Sequence, residues 1–115
     1  MKAKVQFRLR IYRGKTIAVG PGKIALLEAV AETGSIAGAA RRMGMSYRRA
    51  WMLLEELSGA LRSPAIETTL GGAHGGGTRL TPVGALLIRR YRDVEATASR
   101  AAAQDLAALT GMLSP

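Results

Sequence analysis

A short helix, a tight turn and the start of a further helix are predicted by the segment GSIAGAARRMGMSYRRAW, which begins at Gly34. Glycines such as Gly34 and Gly44 are typical of the residue that follows the last turn of a helix. Ser35 and Ser46 are of the residue type that caps the start of a helix. Each glycine is followed within two residues by a serine, so this pattern predicts that one helix ends and the next begins almost at once.

Three helices are predicted between residues 23 and 62, because apolar residues recur there at spacings of three and four. The first runs to about Thr33, the second to about Met43 and the third from Tyr47 to about Arg62. The residues expected in the core are Ile24, Leu27, Val30, Ala31, Ile36, Ala39, Ala40, Met43, Ala50, Trp51, Leu54, Leu57 and Leu61. Three helices in 40 residues, with a tight turn before the last, indicate a helix-turn-helix.

A β-hairpin is predicted at the N-terminus. Residues 4–12 alternate strictly between apolar and polar side chains, which is the pattern of a half-buried strand, and a turn and a short run from Thr16 to Val19 follow. On the polar face, Lys4, Arg8 and Arg10 are open to three interpretations: a solvated surface, contacts to phosphate, or a dimer interface. The apolar face consists of Val5, Phe7, Leu9 and Ile11, continued by Ile17 and Val19.

A second hairpin is predicted directly after the third helix, with strands at residues 66–70 and 78–80 around a glycine-rich tip. A hairpin at this position is the wing of a winged helix. The glycine tract lacks the Gly-Lys-Ser/Thr ending and the strand-to-helix setting of a phosphate-binding loop, so it does not predict a nucleotide site. The single histidine, His74, is expected to be exposed there and to bind nothing.

A long helix is predicted from Pro82 to about Thr110, with Thr81 as its N-cap. Its narrow apolar stripe is roughly seven turns long, more than a small domain can cover. We therefore expect this helix to pair with its copy in a homodimer. The residues assigned to the dimer interface are Val83, Leu87, Tyr91, Val94, Ala98 and Leu109. The arginines at 89, 90 and 92 are assigned to its solvated side.

The predicted fold is mainly α with small β-sheets, and the 115 residues suit one domain with an added element. An N-terminal β-hairpin occupies residues 1–20. A winged helix-turn-helix follows in residues 21–81, with its wing at about 66–80. A long C-terminal dimerisation helix occupies residues 82–115.

Basic residues are concentrated in the N-terminal half of the chain. Residues 1–54 hold eleven basic and two acidic residues, the remainder holds six of each, and the net charge is +9. This asymmetry favours a polyanionic partner at one face of the molecule. The absence of cysteine and the single histidine exclude disulfides, thiolate metal sites and a Ser-His-Asp triad. Because no long apolar run is present, we expect a cytoplasmic protein. We also expect that it is not an enzyme and that it needs no metal or cofactor.

The start of the third helix suits the major groove of double-stranded DNA. Its first turn is expected to project Tyr47, Arg48 and Arg49 outward, and arginine can donate two hydrogen bonds to a guanine edge. A solvated helix face is the alternative interpretation of the two arginines. The residues assigned to DNA contact are Ser35, Arg41, Arg42, Ser46, Tyr47, Arg48, Arg49 and Arg79.

The segment from Gly34 to Trp51, followed by Glu67, the glycine tract, Leu80-Thr81 and Gly84, resembles the DNA-binding domain of the ModE-type, molybdate-responsive transcriptional regulators. It is more distantly similar to the LysR-type regulators, which share the S-I-x-x-A-A pattern. The resemblance implies a dimer on an operator of two-fold symmetry. It implies that Ser46, Tyr47 and Arg48 begin the recognition helix. The wing residues that it assigns are Gly71, Gly72, Gly75, Gly76 and Gly77. The wing of this chain also includes His74, at a tip where the family has basic residues.

Three features depart from the ModE pattern. The chain ends at Pro115, before the oxyanion-binding domains, so molybdate sensing is not carried over by the resemblance. The wing lacks basic residues, and Arg79 is the residue that could replace them. Arg49 adds a charge at the start of the recognition helix and is expected to change the preferred operator.

We therefore predict a sequence-specific transcriptional regulator that binds double-stranded DNA as a homodimer and has no membrane partner. One alternative is an adaptor whose long helix docks onto a separate effector-sensing protein. A stable dimer that regulates without help would count against the adaptor. The other alternative is a non-specific basic nucleoid or RNA-binding protein, which would bind random and operator DNA equally well.

Overall fold

A computed structural model describes residues 2–69 and 77–115 of the chain. The elements, in chain order, are β1 (Ile11–Arg13), β2 (Thr16–Val19), α1 (Pro21–Thr33), α2 (Ile36–Met43), α3 (Tyr47–Ala60), β3 (Ile66–Thr69), β4 (Gly77–Leu80), α4 (Pro82–Ala101) and α5 (Ala103–Gly111). The strands form two separate antiparallel hairpins, one before and one after the three-helix unit α1–α3. This order is that of a winged helix-turn-helix, and it confirms the predicted mainly helical fold with small β-sheets.

Capping groups set the boundaries of α2 and α3. Ser35 Oγ and Ser46 Oγ each accept a hydrogen bond from the backbone N–H three residues later, at 2.9 and 3.1 Å. Gly34 and Gly44 end the preceding helices in the left-handed region, with φ of 77° and 68°. Side chains other than glycine rarely adopt these torsions, so the turn between α2 and α3 depends on Gly44. The predicted turn is confirmed.

The hydrophobic core lies between α1, α2 and α3. Its fully buried large side chains are Ile24, Leu26, Leu27, Val30, Leu54 and Leu57. The prediction that Ala31 is buried is wrong, since Ala31 is exposed, whereas Leu26 and Ala29 are buried although no prediction included them. The reason is that α1 packs against α2, α3, α4 and β4, so its buried surface is wider than a single helical stripe.

The N-terminal hairpin is shorter than predicted. Only three residues form β1, and residues 2–10 contain no strand, although residues 4–12 have the alternating pattern of one. A strand needs a hydrogen-bonding partner, and the four residues of β2 are paired with Ile11–Arg13 alone. The apolar face predicted from the alternation is therefore incompletely covered, with Val5 and Ile11 exposed and Phe7 and Leu9 half-buried.

The base of the wing is closed and attached to the helix-turn-helix. In the β3–β4 ladder Ile66 pairs with Leu80 and Thr69 with Gly77. The backbone N–H of Thr78 donates to the carbonyl oxygen of Gly34, between α1 and α2, at 2.9 Å. Gly77 is the first residue of β4, whereas the other predicted tip residues, Gly71, Gly72, His74, Gly75 and Gly76, lie outside the described residues.

The C-terminal helix begins as predicted and is interrupted once. Thr81 Oγ1 accepts the N–H of Gly84 at 3.1 Å, so Thr81 caps α4. The prediction of one unbroken helix to Thr110 is wrong, because Ala102 has a ψ of 7° and separates α4 from α5. The N–H of Ala102 still donates to the carbonyl oxygen of Ala98 at 3.0 Å, so the hydrogen bonding of α4 extends up to the interruption.

Polar contacts attach α4 to the rest of the chain. The buried Tyr91 donates its hydroxyl hydrogen to the carbonyl oxygen of Leu9 at 2.7 Å. Burial is the main cause that raises the pKa of the phenol, and the negative charge of the nearby Glu95 raises it further. Arg92 pairs with Glu28 of α1 at 2.5 Å and with Glu95 at 2.7 Å. Arg92 is exposed, which agrees with its assignment to the solvated side, and its guanidinium group in addition joins α4 to α1.

Candidate nucleic-acid interface

The outer side of α3 is an exposed surface opposite the core. Successive residues of an α-helix turn by about 100°, so Ala50, Leu54 and Leu57 share the buried side of α3. Arg48, Met52 and Glu55 point the opposite way and are exposed. We call these three residues the reading face. Arginine, carboxylate and apolar side chains on one exposed helix face can contact the hydrogen-bonding groups and methyl groups of DNA base edges.

An open groove separates α3 from the wing. Tyr47 and Trp51, 55% and 47% exposed, line it from α3. Its volume is about 440 Å³, and its other walls are Ser35, Ile36, Ala37, Thr68, Thr69, Gly77 and Thr78. The prediction that Trp51 lies in the core is wrong. Four residues of helix place Trp51 only about 40° from Tyr47, and this spacing is the sequence signal that could have located it on the wing side.

Residues predicted to contact DNA are found at the starts of α2 and α3. Ser35 and Ser46 use their Oγ atoms as N-cap acceptors, which leaves each hydroxyl hydrogen available to a phosphate oxygen. Arg48 is exposed on the reading face. Arg49 lies about 100° further around α3, on the side of the N-terminal hairpin, so the two arginines do not face the same way.

Two arginines that were predicted to contact phosphate are paired with carboxylates of the same chain. Arg42, exposed at the end of α2, pairs with Glu32 of α1. Arg79 of β4 pairs with Glu67, its cross-strand partner in β3, at 2.6 Å. Both pairs are solvent-exposed, and such pairs contribute about 0–1 kcal/mol, so a phosphate could replace either carboxylate. Arg41 is also exposed on α2.

The residues predicted to form a dimer interface differ in their exposure. Val83, Val94 and Leu109 are exposed, whereas Leu87 and Ala98 are half-buried. Tyr91 is 3% exposed, because its own chain covers it, and it is therefore not available to a second copy. The apolar residues that remain uncovered on α4 and α5 also include Leu86, 42% exposed.

Neither a candidate metal site nor a membrane-spanning helix is found in the described part of the chain. Residues 2–69 and 77–115 contain no group of three metal-ligating side chains. None of the helices in the same ranges combines the length and the apolar character that are needed to cross a bilayer.

The fold and this interface define a winged helix-turn-helix protein of the DNA-binding class. Residues 22–85 match the family described as "Bacterial regulatory helix-turn-helix protein, lysR family". This segment is more than half of the chain, which therefore belongs to that family of DNA-binding transcriptional regulators. The match confirms the LysR-type similarity predicted from the sequence.

Relatives of known name support the ModE resemblance as well. The chain is 49% identical over 71 residues to the molybdenum transport protein ModE of Herbaspirillum seropedicae, covering 62% of this chain and 26% of that protein. It is 33% identical over 91 residues to the DNA-binding transcriptional dual regulator ModE of Escherichia coli K12, and this match covers 79% of this chain and 34% of that protein. The chain thus spans about a quarter to a third of the length of these relatives.

A solved structure has the same architecture. The chain aligns with the crystal structure of the CbnR DNA-binding domain in complex with DNA, with a TM-score of 0.57 and 26% sequence identity. The alignment covers 76% of this chain and 94% of that one. The shared fold thus extends over nearly the whole of the CbnR domain, which is bound to DNA in that structure.

Proposed function

We propose that this chain binds a two-fold symmetric DNA operator as a homodimer and so regulates transcription. The observation that carries the proposal is the reading face, Arg48, Met52 and Glu55, which α3 presents to solvent opposite its buried side. A helix of this kind fits the major groove of B-DNA, where base edges are distinguishable. The ModE and CbnR matches support the same partner.

Each residue of the reading face has a different chemical role in the proposal. Arg48 donates to the O6 and N7 atoms of a guanine, the commonest specific contact of this kind. Glu55 accepts from the N4 amino group of a cytosine, and Met52 contacts a thymine methyl group. Tyr47 reaches a phosphate with its hydroxyl group, and its exposed ring and that of Trp51 pack between α3 and the wing-side backbone of DNA.

The homodimer is proposed from the uncovered apolar residues of α4 and α5. Val94 is 50% and Leu109 61% exposed, and both lie outside the three-helix unit. Pairing of this surface with a second copy would bury these side chains and place two copies of α3 side by side. Two successive major grooves on one face of DNA are about 34 Å apart, so the dimer would read two half-sites.

The first experiment is selection of bound sequences from a random DNA pool by the purified protein. The proposal predicts an enriched consensus with two-fold symmetry. No enriched sequence would contradict it and would favour the non-specific basic protein. An asymmetric consensus would contradict the homodimer alone.

Substitution of the central arginine tests the reading face on the selected operator. Arg48→Ala is expected to weaken operator binding by about 1–3 kcal/mol and to relax the preference at one base pair, because a bidentate guanine contact is lost. Binding is measured by fluorescence anisotropy at fixed salt. The control is Arg89→Ala, which removes the same charge from the exposed side of α4. Equal losses in the two variants would contradict the role of Arg48.

A further inference from the structure

We propose that a groove between the N-terminal hairpin, the start of α1 and α3 holds the DNA phosphate backbone on the side of α3 opposite the wing. This inference rests on the proposed DNA binding and adds a second backbone contact to it. The groove has a volume of about 670 Å³ and we call it the basic groove. Its lining includes Arg8, Arg10, Lys15, Lys23 and Arg49.

The position of the basic groove follows from the geometry of α3. Arg49, Leu53 and Glu56 line it from α3. Tyr47 and Trp51 line the wing-side groove. Measured around the helix axis in the direction that passes the reading face, Arg49, Leu53 and Glu56 lie about 140–240° from these two residues. The reading face lies between the two grooves. The reading helix is thus bordered by the wing on one side and by the N-terminal hairpin on the other.

The charge of the basic groove is strongly positive. Of the described residues, five basic side chains line it and one carboxylate, that of Glu56, does so. Glu56 is already engaged, because Lys23 Nζ lies 3.5 Å from its carboxylate and also donates to the carbonyl oxygen of Ile17 at 2.5 Å. The charges of Arg8, Arg10 and Lys15 therefore face the groove without a carboxylate partner among residues 2–69 and 77–115.

The arginines of this chain thus differ in how they are neutralised. Arg42, Arg79 and Arg92 each pair with a carboxylate of the chain itself. Arg8, Arg10 and Arg49 have no such pair within residues 2–69 and 77–115, and all three line the basic groove on one side of α3. Clustering of unneutralised charge costs free energy unless a polyanion is bound, so the groove has the electrostatic character of a phosphate site.

The walls of the basic groove are attached to the reading helix. Arg13 of β1 donates to the carbonyl oxygen of Gly59 in α3 at 3.3 Å. Lys23 links β2 to α3 through Ile17 and Glu56. These contacts fix the position of the hairpin against α3 before DNA is bound. Binding would therefore not require the hairpin to move.

The geometry of DNA indicates which part of it would occupy the basic groove. A helix in the major groove, which is about 12 Å wide, has a phosphate backbone on each side of it. When the reading face meets the bases, the wing borders one backbone and the basic groove borders the other. The hairpin precedes the segment that matches the lysR family, residues 22–85, so this contact would be an addition to the family's common domain.

The salt dependence of DNA binding tests the inference. The variant Arg8→Ala, Arg10→Ala, Lys15→Ala removes three exposed charges from the groove. Since each phosphate contact contributes about 0.9 to the slope of log K against log[salt], the slope is expected to fall by up to about 2.7 per chain. The loss of affinity is expected to be equal on operator and random DNA, because phosphates carry no sequence information.

The matched control removes three exposed charges elsewhere. The variant Arg62→Ala, Arg89→Ala, Arg100→Ala changes the net charge equally outside both grooves and is expected to keep the parent slope. Equal slopes for the groove variant and the control would overturn the inference. If Arg48→Ala still loses base preference in that case, the proposed function stands and only the basic groove is rejected.

A measurement on the parent protein makes the test independent of any variant's folding. Ethylation of individual phosphates of the operator is expected to block binding on both sides of each half-site major groove. Interference confined to one side of the major groove would overturn the inference. Failure of the parent to bind any DNA would reject the proposed function and this inference together.

Discussion

Gly84 shows how a single residue sets the approach of the C-terminal helix to the wing. It lies in the first turn of α4 directly against the backbone of Ala65, just before β3. A Cβ atom at this position would overlap the carbonyl oxygen of Ala65. That same oxygen accepts the N–H of Thr81 at 3.0 Å, so it cannot move away without breaking the junction between β4 and α4.

We therefore expect Gly84→Ala to lower the free energy of unfolding by about 1–3 kcal/mol, as overpacking of a closed site does. The matched control is Gly59→Ala in α3, where a Cβ atom meets nothing within 4 Å. This control is expected to raise the free energy of unfolding by up to about 1 kcal/mol, because alanine is the better helix former. Urea unfolding followed by circular dichroism measures both, and a stabilising effect of Gly84→Ala would contradict the steric argument.

At the scale of the residue, the caps were predictable from sequence and several tertiary contacts were not. Ser35, Ser46 and Thr81 bond to backbone groups three residues away, so their role depends on local sequence alone. The exposure of Trp51 was mispredicted, although its four-residue spacing from Tyr47 is a local signal that places both rings on the wing side of α3. The bridging role of Arg92 depends on Glu28, which is 64 residues away in sequence.

In the proposed function, the start of α3 serves both stability and recognition. The N-cap hydrogen bond of Ser46 stabilises the same turn that carries Arg48. Ser46→Ala is expected to lower the free energy of unfolding by about 1 kcal/mol. Ser46→Asp keeps a cap acceptor and is expected to remain close to the parent in stability, yet to weaken DNA binding, because its carboxylate would face phosphate oxygens.

Thermal unfolding and operator binding of the two Ser46 variants separate these effects. A fall in operator affinity for Ser46→Asp without a fall in melting temperature is the expected result. Unchanged operator affinity of the aspartate variant would mean that the start of α3 is not close to the DNA backbone.

At the scale of the element, periodicity located the helices better than the strands. A helix satisfies its own backbone hydrogen bonds, so the apolar spacing in α1, α2 and α3 was sufficient to predict them. A strand depends on a partner, and the alternation of residues 4–12 could not reveal that β2 pairs with only three of them. The interruption at Ala102 carries no glycine or proline that would have signalled it.

The whole molecule is elongated. Its radius of gyration is 17.0 Å and its extents are 57 × 31 × 24 Å. A compact domain of this length would have a radius of gyration of about 13 Å. An elongated shape with apolar side chains on α4 and α5 is what the proposed homodimer would use. The length of the apolar stripe was the sequence signal for this homodimer. The stripe also included Tyr91, which is buried against its own chain.

The homodimer is tested by placing charge on that surface. The variant Val94→Lys, Leu109→Lys is expected to be monomeric at concentrations where the parent is dimeric, because two lysines would be buried in the interface. Its control is Ala96→Lys, Ala103→Lys, which adds the same charge at exposed positions about 160° from Val94 in α4 and about 120° from Leu109 in α5. Sedimentation equilibrium gives the mass of each. A dimeric Val94→Lys, Leu109→Lys variant would reject this surface as the interface.

The closed base of the wing has a consequence for how such regulators can diversify. The Thr69 hydroxyl oxygen accepts the N–H of Gly77 at 3.2 Å, which joins β3 to β4. The N–H of Thr78 donates to the carbonyl oxygen of Gly34, which joins β4 to the turn between α1 and α2. Doubling the length of a loop costs only about 0.6 kcal/mol once its ends are held together. Insertions or exchanges between Thr69 and Gly77 would therefore be inexpensive for folding. New preferences for the DNA that flanks a half-site can be acquired there while the reading helix is inherited unchanged.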